Sequence, residues 1–235
     1  DKNWSEVFNE LNNERSWTKS RQSLHEEIIN NLTYEADFNS NQIRKILMSK
    51  FLGTKIPSLI LVRGSSGSGK STFIKEVLKI KKGIVGPDLV RSQLKKGVFI
   101  TGKVDNQFDL EAYFVTQWLC KELLSSKKTF IVERTFEYIE DAKILVDLAI
   151  KNGYGSIYII DIDCPLDITT PRLEQRKSGD LDPVIPRKAV IENSKRIGES
   201  REKWVRCIKE TQNIDVLYEL FSNSNNFGKF DLIST

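Results

Sequence analysis

A glycine-rich segment follows directly after a short apolar run in this chain. The run covers residues 58–63, and the segment Gly64-Ser-Ser-Gly-Ser-Gly-Lys-Ser71 matches the pattern G-x-x-x-x-G-K-[ST]. Its glycines let successive backbone N–H groups point into one concavity, and the N-terminus of a following helix adds a partial positive charge there. Because this geometry needs a strand before the loop and a helix after it, the segment predicts a strand–loop–helix unit that binds phosphate groups.

The side chains of this loop have separate expected roles. Lys70 can reach the β- and γ-phosphates of a nucleotide, and the Ser71 hydroxyl can ligate Mg²⁺. The alternative is a glycine-rich turn that binds nothing, which the complete pattern in its expected context disfavours. The predicted phosphate-binding residues are Gly64, Ser65, Ser66, Gly67, Ser68, Gly69, Lys70, Ser71 and Thr72.

Strand-like and helix-like segments alternate along the rest of the chain. Apolar, strand-sized runs lie at residues 58–63, 84–85, 129–133, 156–163 and 214–220. Segments with the apolar spacing of helices separate them. This alternation predicts an α/β fold with a doubly wound, mostly parallel five-stranded sheet. A turn-prone segment at 223–228, followed by a short apolar run, predicts a C-terminal strand-turn-strand.

Residues 1–52 have the apolar spacing of helices throughout. They contain three such stretches, and Asn39 or Ser40 suits the N-cap of the third. The helix that follows the glycine-rich loop is expected to end near Gly83. We therefore expect two parts, an N-terminal helical extension at 1–56 and an α/β domain at 57–235.

Composition excludes several classes of site. His25 is the only histidine, so Cys/His zinc clusters and histidine-based catalytic triads are excluded. Cys120, Cys164 and Cys207 are few and odd in number, which favours a reducing compartment; we expect a cytoplasmic protein, in the host cytoplasm if it is a secreted effector. No apolar run approaches the roughly 20 residues that cross a bilayer, so no membrane is expected. The chain begins with Asp1 rather than Met, from which we expect a piece of a longer protein.

A nucleotide site does not by itself define a reaction. A GTPase would need a base-reading motif, and the nearest string, Gly102-Lys-Val-Asp105, lacks its first residue. Asp161 ends an apolar run and has the formal position of a magnesium-binding acid in motor ATPases, but it can equally face a helix from within the sheet. Small-molecule and polynucleotide kinases need something else, namely a carboxylate at the end of a neighbouring strand and a mobile arginine lid.

Asp88 directly follows the second predicted strand, which brings it to the carboxyl edge of the sheet beside the γ-phosphate. A carboxylate there can accept a proton from an acceptor hydroxyl, so we predict that Asp88 is catalytic. Arg91, three residues later, can share the same helical face and bind substrate phosphate. The alternatives are an N-cap role for Asp88 and a solvated surface position for Arg91.

Arg172 and Arg176 are one helical turn apart after the fourth predicted strand. Forked guanidinium groups suit the spread charge of a transferring phosphoryl group, so we predict that both are catalytic lid residues. A solvated helix face paired with Glu174 is the alternative.

The segment Glu133-Arg-Thr135 ends the third predicted strand, at the edge where ligands gather. Glu133 can orient the acceptor or bind Mg²⁺ through water, and Thr135 can hydrogen-bond the substrate. We predict that both bind substrate, with an N-cap as the competing role for Thr135.

Three of these motifs resemble those of the zeta-toxin and polynucleotide-kinase group of P-loop phosphotransferases. They are Gly64-Ser-Ser-Gly-Ser-Gly-Lys-Ser-Thr72, Asp88-Leu-Val-Arg91 and Phe130-Ile-Val-Glu-Arg-Thr135. The likeness runs from residue 57 to 234, and a preceding helical region is also expected in zeta toxins. It implies a P-loop kinase sheet and the phosphorylation of a hydroxyl with ATP and Mg²⁺.

The resemblance also implies acceptors and partners. Zeta toxins phosphorylate the 3′-hydroxyl of the amino sugar in UDP-N-acetylglucosamine, a related plant-pathogen effector phosphorylates NAD on its ribose, and the implied partner is an antitoxin or chaperone-like protein. The chain departs from the zeta pattern, because Arg134 replaces a glycine and residues 136–138 lack a substrate-binding arginine. Pro183 falls close to the place of a second zeta arginine. The zeta acceptor therefore does not carry over directly.

The predicted function is an ATP-dependent kinase acting on a hydroxyl of a nucleotide-containing small molecule, as a toxin or effector. A polynucleotide 5′-hydroxyl kinase is the nearest alternative, although a net charge of +4 is too small to require a nucleic acid. It predicts an electropositive channel leading to Asp88 rather than a closed pocket. The other alternative is a nucleotide-binding regulatory module, which predicts little damage from Asp88→Asn.

Overall fold

The structure, a computed structural model, describes residues 17–50, 57–95, 106–175, 185–210, 214–224 and 229–234. Its elements, in chain order, are α1 (Lys19–Lys50), β1 (Ser58–Gly64), α2 (Lys70–Thr72, continued as a π-helix at Phe73–Val77), β2 (Ile84–Val85), α3 (Pro87–Leu94), α4 (Asn106–Ser125), β3 (Phe130–Glu133), α5 (Ile139–Lys151), β4 (Ser156–Asp163), α6 (Leu166–Glu174), α7 (Arg187–Lys209), β5 (Asp215–Ser222) and β6 (Asp231–Ser234). Among these described residues, no helix is long and apolar enough to span a membrane.

The six strands form one sheet in the order β2-β3-β1-β4-β5-β6. Strand β1 is central and buried along its whole length, and Leu59 pairs with Phe130 of β3 on one side and Ile157 of β4 on the other. All pairs are parallel except β5 with β6. The predicted α/β, doubly wound sheet is confirmed, and β6 adds an antiparallel sixth strand at its edge. Residues 225–228 of the predicted turn are outside the described part of the chain.

Helix α1 contributes to both hydrophobic cores of the sheet. Ile28, in its first half, packs in one core, and Ile43 and Leu47, in its second half, pack in the other. Between them, Ala36 lies against Gly83, where an added Cβ would be 3.0 Å from the Ala36 Cα. The helix therefore passes the β2 edge of the sheet. The predicted boundary after residue 56 adjoins residues 51–56, which are outside the described part of the chain.

The predicted start of a separate helix at Asn39 or Ser40 is wrong. Both residues lie inside the continuous helix α1. The buried positions Ala36, Ile43 and Leu47 repeat with helical spacing and form one apolar stripe across this point. Burial of that stripe outweighs the local preference of these polar residues for a cap, since tertiary packing routinely overrides propensity.

Helix α2 is shorter than predicted. It ends at Val77 instead of near Gly83. Lys79 adopts a left-handed φ of 59°, a conformation that commonly ends helices, and the Ile80 N–H donates to the Ile74 carbonyl. The early stop turns the chain back toward the start of β2.

Candidate active site

The phosphate loop lies where the sequence predicts it, between the end of β1 and the start of α2. Gly64 has no room for a side chain, because a Cβ there would lie 2.6 Å from the Ile162 carbonyl oxygen and 2.7 Å from Ser68 Oγ. Gly69 has a φ of 95°, and a Cβ there would collide with the Asn223 side chain. The loop is therefore packed directly onto the ends of β4 and β5.

Lys70 folds back across this loop. Its Nζ donates hydrogen bonds to the carbonyl oxygens of Gly64, at 3.0 Å, and Ser65, at 2.9 Å. The Ser68 N–H donates to the Ser65 carbonyl, which tightens the turn. These contacts hold the ammonium group within the loop, beside the N-terminus of α2, where phosphate groups of a nucleotide would lie.

A hydroxyl and a carboxylate meet beside Lys70. Ser71 Oγ donates to Glu133 Oε1 at 2.6 Å, because β3 pairs with β1 and brings Glu133 next to Val62. Burial raises the pKa of Glu133, and the charge of Lys70 and the hydrogen bond from Ser71 offset this in part. Oxygen ligands of these two kinds fit Mg²⁺, which is usually held by one or two protein groups, substrate phosphates and water.

Asp88 lies in the first turn of α3, at the same edge of the sheet. The N-cap of α3 is Gly86, so the N-cap alternative for Asp88 is wrong. A Cβ on Gly86 would lie 2.7 Å from the Glu133 carbonyl oxygen, which shows how closely the start of α3 meets the end of β3. The charge of Asp88 is one of the causes that raise the pKa of Glu133, and its side chain is 65% exposed. A solvent-facing carboxylate thus lies within electrostatic range of Glu133.

Arg91 is enclosed between two carboxylates, with its side chain only 4% exposed. Its Nη1 donates to Asp88 Oδ1 at 2.6 Å, and its Nε donates to Asp109 Oδ1 at 2.5 Å. Burial would lower the pKa of Arg91, but Asp88 and Asp109 together raise it. The alternative of a solvated surface position is therefore wrong, and the guanidinium is committed to these two partners.

Arg172, on α6, reaches the opposite side of the phosphate loop. Its Nη1 donates to the Gly67 carbonyl at 3.3 Å. Helix α6 is packed against the loop, since a Cβ on Gly67 would be 3.1 Å from Leu173 Cγ. The structure therefore brings Arg172 to the loop, whereas Arg176 lies outside the described residues.

The two residues after Glu133 have different surroundings. Arg134 turns inward, where it pairs with Asp141 at 3.3 Å and lies over the Phe136 ring. Thr135 is half-buried beside the edge of the sheet. The N-cap of α5 is Tyr138, so the N-cap alternative for Thr135 is wrong. Its predicted contact with substrate stays a prediction.

Asp161 faces a helix from within the sheet, as one of the two interpretations of the sequence held. It is fully buried and pairs with Arg63 at 2.5 Å and with Arg201, from α7, at 3.1 Å. Tyr218 Oη donates a third hydrogen bond to it at 2.7 Å. This network joins β1, β4 and β5 to α7, and all three of its hydrogen bonds end on Asp161 Oδ2.

The sequence analysis missed two residues of this site. Asn223 follows β5 and donates from Nδ2 to the Ser68 carbonyl at 2.7 Å, and Asp109 binds Arg91 from α4. Asn223 was included only in a turn-prone segment, although its position after the fifth strand also places it at the ligand edge. No sequence pattern predicts a role for Asp109, because nothing in the sequence indicates which turn of α4 faces α3.

A family model described as an AAA domain (AAA_33) matches residues 59–198, more than half of the chain and including the phosphate loop. The chain belongs to this family. No curated protein sequence matches it.

Solved structures share the fold of this AAA-domain chain. AvrRxo1-ORF1 in its complex with ORF2 is 21% identical with a TM-score of 0.75, covering 98% of this chain and 70% of that one. The same complex with ATP has a sequence identity of 22% and a TM-score of 0.75, with the same coverage of both chains. A chain of the PezAT chromosomal toxin–antitoxin system of Streptococcus pneumoniae is 18% identical with a TM-score of 0.51. The match covers 77% of this chain and 75% of that one. The P-loop kinase fold and the resemblance to zeta-toxin-like proteins are confirmed.

Proposed function

We propose that this protein is a Mg²⁺- and ATP-dependent kinase that transfers the γ-phosphate to a hydroxyl of a nucleotide-containing small molecule. The observation that carries the proposal is the meeting of the phosphate loop, the Ser71–Glu133 pair and the exposed carboxylate of Asp88 at one edge of the sheet. A solved structure of similar fold contains ATP, which supports the choice of nucleotide. The ORF2 and PezAT complexes support an antitoxin-like or chaperone-like partner.

The proposed reaction is a direct in-line transfer. The acceptor oxygen bonds to the γ-phosphorus while the bond from that phosphorus to the β–γ bridging oxygen breaks, the acceptor proton passes to Asp88, and ADP leaves. Lys70 and the loop N–H groups hold the phosphates, and Arg172, with Arg176, meets the charge of the transferring group. Ser71 would bind Mg²⁺ directly and Glu133 through water. When bound, Mg²⁺ would neutralise part of the negative charge on the phosphate oxygens.

The enclosure of Arg91 favours a small-molecule acceptor over a polynucleotide. A 5′-hydroxyl polynucleotide brings a phosphodiester close to the reacting group, and such phosphates are bound by exposed arginine and lysine side chains. Arg91, the cation next to Asp88 in sequence, already has both aspartates as partners. We therefore infer that the acceptor is a nucleotide-containing small molecule, such as a UDP-amino sugar or NAD, and that Glu133 and Thr135 contact its hydroxyl.

A product assay tests the proposal. The protein is incubated with γ-labelled ATP and Mg²⁺ in the presence of UDP-sugars, NAD or 5′-hydroxyl oligonucleotides, and the labelled product is identified. We expect label in a UDP-sugar or in NAD. Label in the oligonucleotide instead would establish the polynucleotide alternative, and ATP hydrolysis with no labelled acceptor would favour the regulatory module.

Asp88→Asn is the decisive variant. Because it removes the proton acceptor but leaves the loop intact, we expect unchanged ATP affinity and a loss of transfer of about 10²–10⁴-fold. Asp147→Asn, at an exposed carboxylate of α5, is the matched control and should transfer normally. Near-normal transfer by Asp88→Asn would contradict the proposed chemistry.

A further inference from the structure

Within the described part of the chain, Asp109 is the ion-pair partner of Arg91 that comes from a different helix. It lies on α4, 18 residues after Arg91, with its side chain 30% exposed, and it accepts the Nε–H of Arg91 at 2.5 Å. The other partner, Asp88, lies on α3 together with Arg91, three residues before it. The guanidinium therefore joins the proposed base to a second helix.

The ion pairs of Arg91 with Asp88 and with Asp109 differ in how far they fix the orientation of the guanidinium. Asp88 and Arg91 are three residues apart on the same helix, so their pair moves with α3 and does not fix the guanidinium relative to any other element. The contact to Asp109 engages a second edge of the planar guanidinium inside the protein, so the fork can keep only one orientation. With Nε fixed by Asp109, Nη1 is directed at Asp88 Oδ1.

Helix α4 is attached to α1 close to Asp109. Two residues after Asp109, Glu111 is buried and accepts hydrogen bonds from Arg21 Nε, at 2.8 Å, and from His25 Nε2, at 2.5 Å. Both donors lie on α1. Asp109 is thus presented by a helix that is also anchored to α1.

We propose that Asp109 is a positioning residue for phosphoryl transfer. It holds Arg91, and Arg91 holds one oxygen of Asp88, so that the carboxylate meets the acceptor hydroxyl in one orientation. The proposal rests on the proposed role of Asp88 as base. Asp109 touches neither nucleotide nor acceptor, and its effect on the rate passes entirely through Arg91.

The test is a kinetic comparison of Asp109→Asn with the unchanged protein. Misplacement of a reacting group costs up to about 10²-fold, so we expect kcat to fall about 10- to 100-fold while KM for ATP and for the acceptor is unchanged. Asp109→Glu, which keeps the charge, should recover part of the rate. In an Arg91→Ala background, Asp109→Asn should have no further effect, because its target is already absent.

Glu122→Gln, at an exposed carboxylate of the same helix, is the matched control and should leave kcat unchanged. Normal kcat in Asp109→Asn, when Asp88→Asn is inactive, would overturn this inference and leave the proposed function standing. So would a raised KM with unchanged kcat, or an equal loss of kcat in Glu122→Gln. Transfer by Asp88→Asn would overturn the proposed function itself.

Discussion

The candidate active site has two parts, named here the nucleotide side and the acceptor side after their proposed ligands, and they are built in different ways. On the nucleotide side, residues 64–71 form a loop of backbone N–H groups that is supported by Gly64 against β4 and by Asn223 against Ser68. On the acceptor side, the chain of ion pairs from Asp88 through Arg91 to Asp109 joins two helices. The first is a local feature of the chain, and the second exists only when distant elements have assembled.

This difference implies different sensitivity to mutation. A backbone cradle survives most side-chain changes around it, because its donors are present in every residue except proline. An ion-pair chain loses its geometry when one member is removed, since the remaining charged groups are left without their partner in a partly buried place. Single substitutions on the two sides should therefore separate binding from turnover.

On the nucleotide side, the largest effect is expected for Lys70→Ala. Lys70 is the side chain that the nucleotide side adds to its backbone donors, so its removal should weaken ATP binding and also lower turnover by about 10²–10³-fold. Calorimetric titration with ATP and a steady-state assay would measure both. Lys143→Ala, at an exposed position of α5, is the control. Asp88→Asn should lose turnover but keep its ATP affinity. If Lys70→Ala also bound ATP tightly, the two variants would no longer separate binding from turnover, and the predicted role of Lys70 would be contradicted.

The nucleotide side was also the side that the sequence predicts well. The loop and most of the strands follow from contiguous patterns, in which glycines, an apolar run and a helix start within about 15 residues of each other. The single helix α1 did not follow, because its continuity through residues 39–40 depends on a stripe that is buried only once the sheet is present.

The acceptor side could be predicted only in part. Asp88 and Glu133 were found because they end strands, and the ends of parallel strands meet at one edge. The partnership of Arg91 with Asp109 depends on the packing of α3 against α4, which a single sequence does not encode in any local pattern. Asp161 illustrates the opposite case, since its position at the end of a strand was equally compatible with a metal site and with the buried pair to Arg63.

Glu133 lies where the nucleotide side and the acceptor side meet. Its substitution should show which of the two sides depends on its charge. Glu133→Gln keeps the shape and removes the charge, so we expect turnover to fall about 10- to 100-fold, as for other groups that support a metal ligand. The Mg²⁺ concentration for half-maximal rate should rise. A titration of rate against Mg²⁺ would measure both, and a melting curve no lower than that of the unchanged protein would show that the fold is intact.

The same variant gives a pH dependence of defined sign. Burial raises the pKa of Glu133, so its carboxylate is protonated at a higher pH than an ordinary glutamate. As pH falls through that raised pKa, the unchanged protein loses the charge that Glu133→Gln lacks at every pH, and the ratio of their rates should approach one. Asp88 is present in both proteins, so the ratio of their rates isolates the contribution of Glu133. A ratio that stays constant on acidification would contradict a role for the ionised carboxylate.

The smallest effect is expected for Asn223→Ala, and it tests the claim that the nucleotide side tolerates single changes. The substitution removes one buried hydrogen bond, from Nδ2 to the Ser68 carbonyl at 2.7 Å, while the loop N–H groups remain. A bond of this kind contributes about 0.5–1.5 kcal/mol, which corresponds to an increase of about two- to tenfold in the Kd for ATP. Turnover at saturating ATP should be unchanged, and the exposed neighbour Ser224, changed to alanine, should show no effect on either quantity. If Asn223→Ala abolished turnover as Asp88→Asn should, the phosphate loop would depend on single side chains as strongly as the acceptor side does, and the distinction between the two sides would be lost.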